Sequence, residues 1–155
     1  MSLRLVIIIV LAVIFLDRLS KYYVMSNFQL GESVAVIENV FHFTYVLNSG
    51  AAFGLLKDQS IFLIFVTIIF FCGIIYFFLK VPIKCIYLRC GGALLTGGGI
   101  GNLIDRIKNG RVIDFFDFQV WPVFNIADIA IVCGVSLIIY SIIFDKSIPS
   151  FEKEG

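Results

Sequence analysis

G-G-G-I-G-N-L-I-D-R (97–106), R-V-I-D-F (111–115) and F-N-I-A-D (124–128) are the three stretches around which the chain is organised. They place Asp105, Arg106, Asp114, Asn125 and Asp128 between two strongly apolar segments, in a chain with little charge elsewhere. A carboxylate at the rim of a bilayer is costly to keep, so by default it marks a working site.

The surrounding composition sets the class. The 155 residues are 60% hydrophobic and 15% charged, with 17 Phe and a mean hydropathy of +1.02. A soluble domain carries about 25% charged residues, so the composition reads as an integral membrane protein. A net charge of +1 argues against nucleic acid as a partner. The length allows one compact unit. Cys72, Cys85, Cys90 and Cys133 sit in or beside apolar runs without C-x-x-C spacing, which suits small buried hydrophobes. With His42 as the one histidine, no zinc site is expected and no metal or other cofactor is implied.

Working outward, the first apolar run is Leu5 to Leu16, and no small-residue cleavage site follows it. It passes into L-D-R-L-S-K-Y-Y-V, where Asp17 and Lys21 lie four apart and can pair on one helix face, or serve with Tyr22 and Tyr23 as an interfacial anchor. Residues 26–59 do not read as a span. V-A-V-I, then E-N, then V-F-H-F-T-Y-V-L resembles two strands about a turn, with Phe41, Phe43, Tyr45 and Leu47 alternating to one face. His42 falls on the other face with no Ser or Cys partner in evident register. N-S-G-A-A-F-G (48–54) follows, its small residues permitting close backbone approach and Asn48 offering both a donor and an acceptor.

Ser60 to Leu79 is uncharged and long enough to cross about 30 Å as a helix. Lys80, Pro82 and Lys84 make a basic turn. A third span, about Ile86 to Ile104, holds the small-x-x-x-small pair Gly97 and Gly101, which predicts close helix packing. Asn102 and Asp105 share a face at its end, and Arg106 suits an ion pair or an anchor. Lys108 to Arg111 reads as a turn and R-V-I-D-F-F-D-F as an extended piece. Trp121 and a helix-starting Pro122 lead into the last span, about Phe124 to Phe144, where Asn125 and Asp128 are three apart and Asp128 is the deepest acid. Asp145 to Gly155 is a charged tail.

The fold expected is therefore membrane all-α, with four transmembrane helices (about 5–24, 60–79, 86–104 and 124–144) in one domain, 1–155. A small β-rich extracytoplasmic region comes from loops 26–59 and 106–123. The Lys80–Arg89 loop carries three basic residues and no acid, which places it and both termini in the cytoplasm. The acids then emerge on the outer face.

Chemistry narrows to carboxylates. Serine catalysis needs a base beside the hydroxyl, and adjacent Ser20 and Lys21 are poor geometry for that. Two acids held close in a low-dielectric site share one proton, so that one activates water while the other polarises a carbonyl. Asp128 is the first candidate. Its partner is Asp105 or Asp114, and Asp114 is favoured because Asp105 abuts Arg106 while Asp114 sits among V-I-D-F-F.

D-R-L-S-K (17–21), N-S-G-A-A-F-G (48–54), G-N-L-I-D-R (101–106), R-V-I-D-F (111–115) and F-N-I-A-D (124–128) together resemble the ordered motif set of bacterial lipoprotein signal peptidases, the signal peptidase II family. The resemblance covers nearly the whole chain. It implies an aspartic endopeptidase that removes the signal peptide of a prolipoprotein just before a diacylglyceryl-modified Cys. It implies Asp114 and Asp128 as the catalytic pair. Asn48, Gly50, Asn102, Asp105, Arg106 and Asn125 would shape the site and contact substrate, and Asp17 and Lys21 would support it. The implied partners are the lipidated prolipoprotein, membrane lipid and cyclic peptide inhibitors such as globomycin, with the enzyme a monomer of the bacterial inner membrane. Leu47 departs from the Arg that many relatives carry before the Asn.

Two other classes compete. A small transporter or proton conductor would carry polar residues along the full depth of its spans, whereas residues 60–79 are almost wholly apolar. A purely structural membrane subunit leaves Asn125 and Asp128 without a purpose. The G-x-G-D motif of another intramembrane aspartic class is absent, because Asn102 follows G-G-G-I-G.

Overall fold

A computed structural model describes residues 1–50, 59–80 and 85–144. The end of N-S-G-A-A-F-G, the Pro82–Lys84 turn and the charged tail lie outside the described residues. Four helices and three strands follow in the order α1 (Leu3–Asn27), β1 (Ser33–Ile37), β2 (Phe41–Asn48), α2 (Ser60–Lys80), α3 (Ile86–Asn109), β3 (Val112–Asp117) and α4 (Ile126–Phe144). The chain is mostly helical with one small antiparallel sheet.

Glycine-rich α3 is the centre, packed on α1, α2 and α4. The close approach predicted from Gly97 and Gly101 is present. A Cβ added at Gly97 would come within 2.8 Å of the Val13 Cβ, and one at Gly101 within 2.7 Å of an Asp17 carboxylate oxygen. Further along, Gly91 and Gly134 bring α3 and α4 together backbone to backbone, each lacking room for a Cβ beside the other's carbonyl. Helix α1 is inverted relative to a soluble helix. It buries Val6, Val13, Asp17, Lys21 and Val24 and exposes Leu5, Ile8, Leu11, Phe15 and Leu19.

By length and composition, one helix among the described residues, Ile126–Phe144, is long and apolar enough to cross a membrane, and α2 contributes the shorter apolar stretch Ile61–Ile74. Helices α1 and α3 fall outside that description because Asp17, Arg18 and Lys21 interrupt one and glycines dilute the other.

The strand pair expected in 26–59 forms, turning at Asn39 in the left-handed region (φ 58°). The extended piece after Arg111 becomes β3 and adds to β2, giving the order β1-β2-β3. Phe41 and Phe43 cluster with Phe115, Phe116, Phe118 and Phe124. The strict alternation expected through Tyr45 and Leu47 is not reproduced. Every β2 residue is half-buried, and the register with β3 shifts between Phe43 and Val46.

Boundaries differ for local reasons. Helix α3 continues through Asn109 and ends at Gly110, whose left-handed backbone (φ 69°) lets its N–H reach the Arg106 carbonyl at 3.0 Å. Pro122 does not start α4. Phe124 instead bridges back to Phe116, and its carbonyl accepts from the Phe115 and Phe116 N–H groups. Asp128 therefore lies in the first turn of α4 and is half-buried, while Asp17, Asp105 and Asp114 are the buried acids. Of the cysteines, Cys85 is buried as expected and Cys90 half-buried, but Cys72 and Cys133 are exposed on helix faces.

Candidate active site

Two polar clusters meet where α1, α3, β3 and α4 come together. The first is ionic. Arg18 donates through Nη1 to Asp105 at 2.6 Å and through Nη2 to Asp17 at 2.8 Å. Lys21 Nζ lies 3.0 Å from Asp17 and 2.7 Å from Asp105. The Asp17–Lys21 pair predicted from spacing is thus buried inside the protein and is no interfacial anchor. Asp105 owes its cations to α1 and not to its neighbour Arg106. It also accepts from the Ile113 N–H at 3.3 Å, which ties α3 to β3. Gly101 closes the cluster, its carbonyl accepting from Arg18 at 3.2 Å.

The second cluster contains Asp114 and Asp128 with asparagines around them. Asn125 is the hub. It precedes α4 as an N-cap, its Oδ1 accepting from the Asp128 N–H at 2.9 Å while its own N–H donates to Asp128 Oδ2 at 3.2 Å. This is the reciprocal capping box, with Asp in place of the commoner Glu. The three-residue spacing that suggested a shared helix face is this cap. Asn125 Nδ2 reaches the other acid, donating to Asp114 Oδ1 at 2.6 Å. One residue thereby holds both carboxylates.

Two more amides complete the shell. Asn48, at the end of β2, donates through Nδ2 to Asp114 Oδ2 at 2.9 Å and accepts the Gly50 N–H at 3.0 Å. Asn102, on α3, donates through Nδ2 to Asp128 Oδ1 at 2.8 Å. Arg106 donates through Nη2 to the buried Gly50 carbonyl at 3.2 Å. Among the described residues no carboxylate lies within ion-pair distance of Arg106, so the expected ion pair is replaced by a loop contact.

Asp114 is electrostatically uncomfortable. Burial pushes its carboxyl up to about 7, and the Asp128 charge adds to the rise, against the hydrogen bonds from Asn48 and Asn125 and the more distant Lys21 charge. A cavity of about 440 Å³ opens beside the cluster, lined by Asn48 and Asp128 at its polar end and by Trp121, Val123, Val132 and Cys133 beyond.

Every site residue expected from the sequence falls in one of these two clusters or at their border. Arg18 was missed, although D-R-L-S-K contains it, because its partner is 87 positions away. Elsewhere on the sheet, His42 has the partner that the sequence did not reveal. Its Nδ1 lies 3.1 Å from Ser33 Oγ, which continues through Thr44 to Asp117. The register of β1 on β2 brings them together. No group of three or more potential metal ligands occurs among the described residues.

The packing of helices on a glycine-rich centre, with acids gathered at one end, is shared with two solved structures, each described as a bacterial membrane enzyme obtained by the in meso method. One superposes with a TM-score of 0.88 at 34% identity over 99% of this chain and 95% of the other, the second with 0.84 at 34% over 92% and 95%. The family model for signal peptidase (SPase) II matches residues 9–144. The lipoprotein signal peptidase of Moorella thermoacetica is 44% identical over 137 residues, covering 88% of this chain and 91% of the relative. That of Desulfitobacterium hafniense is 50% identical over 124 residues, covering 79% and 82%. The chain belongs to the signal peptidase II family and is a peptidase.

Proposed function

We propose that this chain is an intramembrane aspartic endopeptidase that removes the signal peptide from diacylglyceryl-modified prolipoproteins, cutting before the lipidated Cys. Asp114 and Asp128 are its catalytic pair. The observation that carries this is the double grip of Asn125, which binds both carboxylates through one residue. Asp105, already committed to Arg18 and Lys21, has no such place.

At neutral pH the pair holds one proton, and the raised Asp114 is its natural site. Asp128 lines the cavity, where water and substrate arrive. Asp128 takes a proton from water as the oxygen attacks the scissile carbonyl, and the Asp114 proton polarises the carbonyl oxygen. The tetrahedral intermediate collapses with proton transfer from Asp128 to the departing amine. The C–N bond breaks, the signal peptide gains the carboxyl group, and the lipidated Cys keeps its amine. The apolar end of the cavity suits a substrate with acyl chains or a hydrophobic peptide, and Arg106 fastens the Gly50 backbone to α3.

Four spans are part of the reading. Helix α1 has 25 residues and α3 has 24, long enough at about 1.5 Å per residue to cross about 30 Å. The charges of α1 pair with α3 while its leucines face outward, an arrangement suited to lipid. With both termini cytoplasmic, the sheet and both clusters sit at the outer face of the bacterial cytoplasmic membrane, where a monomer meets its lipidated substrate.

The test is cleavage of a diacylglyceryl-modified prolipoprotein by the detergent-purified protein beside Asp114→Asn and Asp128→Asn. Cleavage by the wild type and by neither variant is expected. Activity that survives Asp114→Asn but not Asp105→Asn would move the partner, and a folded wild type that cuts nothing would sink the reading.

A further inference from the structure

Resting on that reading, we propose that Lys21 is a positioning residue for Asp128, acting through the side-chain amide of Asn102. The position that looked like simple structural support has a second task.

Two donors converge on a single oxygen. Asn102 Oδ1 accepts from Lys21 Nζ at 3.1 Å and from Asn125 Nδ2 at 3.1 Å. Nζ carries only protons and can accept nothing. A flipped Asn102 would set its NH₂ against the ammonium and the Asn125 amide, donor against donor. The amide is held in one orientation, and that orientation aims Nδ2 at Asp128 Oδ1, 2.8 Å away. Lys21 thus gives direction to a chain that runs from α1 through α3 to α4, ending on the carboxylate proposed as base.

The geometry of Lys21 fits this task. Its three ammonium protons have three acceptors, in Asp17 at 3.0 Å, Asp105 at 2.7 Å and Asn102 at 3.1 Å. The two carboxylates fix the ammonium, and the third proton is left for the amide. Asp17 is anchored in turn by the Ala127 N–H at 3.2 Å, at the start of α4 beside Asp128. The side chain is buried, so water cannot substitute for its proton.

The experiment is a double-mutant cycle on cleavage of the same lipidated prolipoprotein, with Lys21→Met, Asn102→Ala and the pair. Lys21→Met is expected to lower kcat about 10- to 100-fold, the range of a lost hydrogen bond to a charged group, with KM nearly unchanged. In the Asn102→Ala background the same substitution should cost less than about 3-fold, because the amide through which it acts is gone. Lys21→Met leaves an excess negative charge, so Lys21→Met/Asp105→Asn restores the balance and keeps the test open if the single variant does not fold. Losses that multiply across the cycle would overturn the proposal, as would full kcat in the charge-balanced variant. Wild-type cleavage in the same assay separates these failures from failure of the peptidase reading, which would leave every protein inactive.

Discussion

The two polar clusters use the same residue type in opposite ways. Asp17 and Asp105 are surrounded by cations, and Asp114 and Asp128 by amides. Around the first pair, Arg18 and Lys21 supply full positive charge at 2.6 to 3.0 Å. Around the second, three asparagines and a backbone N–H supply only dipoles. A carboxylate fixed by a guanidinium gains nothing from a proton, so it serves as a fastening. A buried carboxylate held by amides can gain and lose one without breaking its neighbours. The comparison teaches that the number of acids says little, and the charge of the partner decides which acids can work.

The largest expected effect separates the clusters by activity. Asp114→Asn and Asp128→Asn should each lower cleavage by about 10³-fold or more, while the thermal midpoint in detergent moves by only a few degrees. Next, the ionic cluster should fail in the other currency. Asp105→Ala should destabilise the fold by about 3 kcal/mol, because it leaves Lys21 buried with half its counter-charge. Apart from the loss that passes through Lys21, residual activity should then track the folded fraction, and a kcat loss in fully folded Asp105→Ala larger than that of Lys21→Met would erase the distinction. A smaller effect is expected between the clusters. Gly101→Ala puts a methyl group onto the Asp17 carboxylate and should cost about 1–3 kcal/mol by overpacking, read as a lower midpoint.

The pH dependence sharpens the contrast further. Asp114 has a folded value of about 7 against an ordinary 3.8, so the folded state binds the proton more tightly than the unfolded one. Its contribution to stability is therefore full below the ordinary value and is lost as pH rises from about 4 to about 7. The Asp114→Asn variant should lack that part of the decline, as measured by thermal midpoints across the range. In the wild type, kcat should fall as pH rises beyond about 7, when the pair loses its shared proton. Ser33→Ala, on the exposed sheet, should be smallest, within about 0.5 kcal/mol and with activity unchanged. A loss of cleavage there would show that the chemistry extends beyond the two clusters.

Much of this was legible in the chain, for physical reasons. Helix α2 announced itself by length and the absence of charge, and the close packing at Gly97 and Gly101 by residue size alone. Asn125 and Asp128 were visible as a pair because a capping box has a fixed spacing, although the spacing was attributed to a shared face and Pro122 was assigned the helix start. Long-range partners were not legible. Nothing local in D-R-L-S-K shows that Arg18 and Lys21 will meet Asp105, and nothing in R-V-I-D-F-F-D-F shows that it joins β2. Arg106 was read locally as an ion pair or an anchor, while the fold gives it the Gly50 carbonyl, which no local spacing reveals. Ser33 and His42 met through strand register, which a bulge-bearing hairpin hides.

The glycine contacts along α3 have a last consequence. At Gly98 a Cβ would collide with the carbonyl of Ala127, the residue before Asp128. Asn102 lies one turn further along the same helix. The separation between the Asn102 amide and the α4 cap is thus calibrated by the bare thickness of two backbones, with no side chain available as an adjustable spacer. Drift in sequence at such a position is one-directional, since every substitution adds atoms and can only lengthen the gap. Compensation would have to come from lengthening the amide or the acid, and a longer acid would no longer fit the cap that holds Asp128 against Asn125.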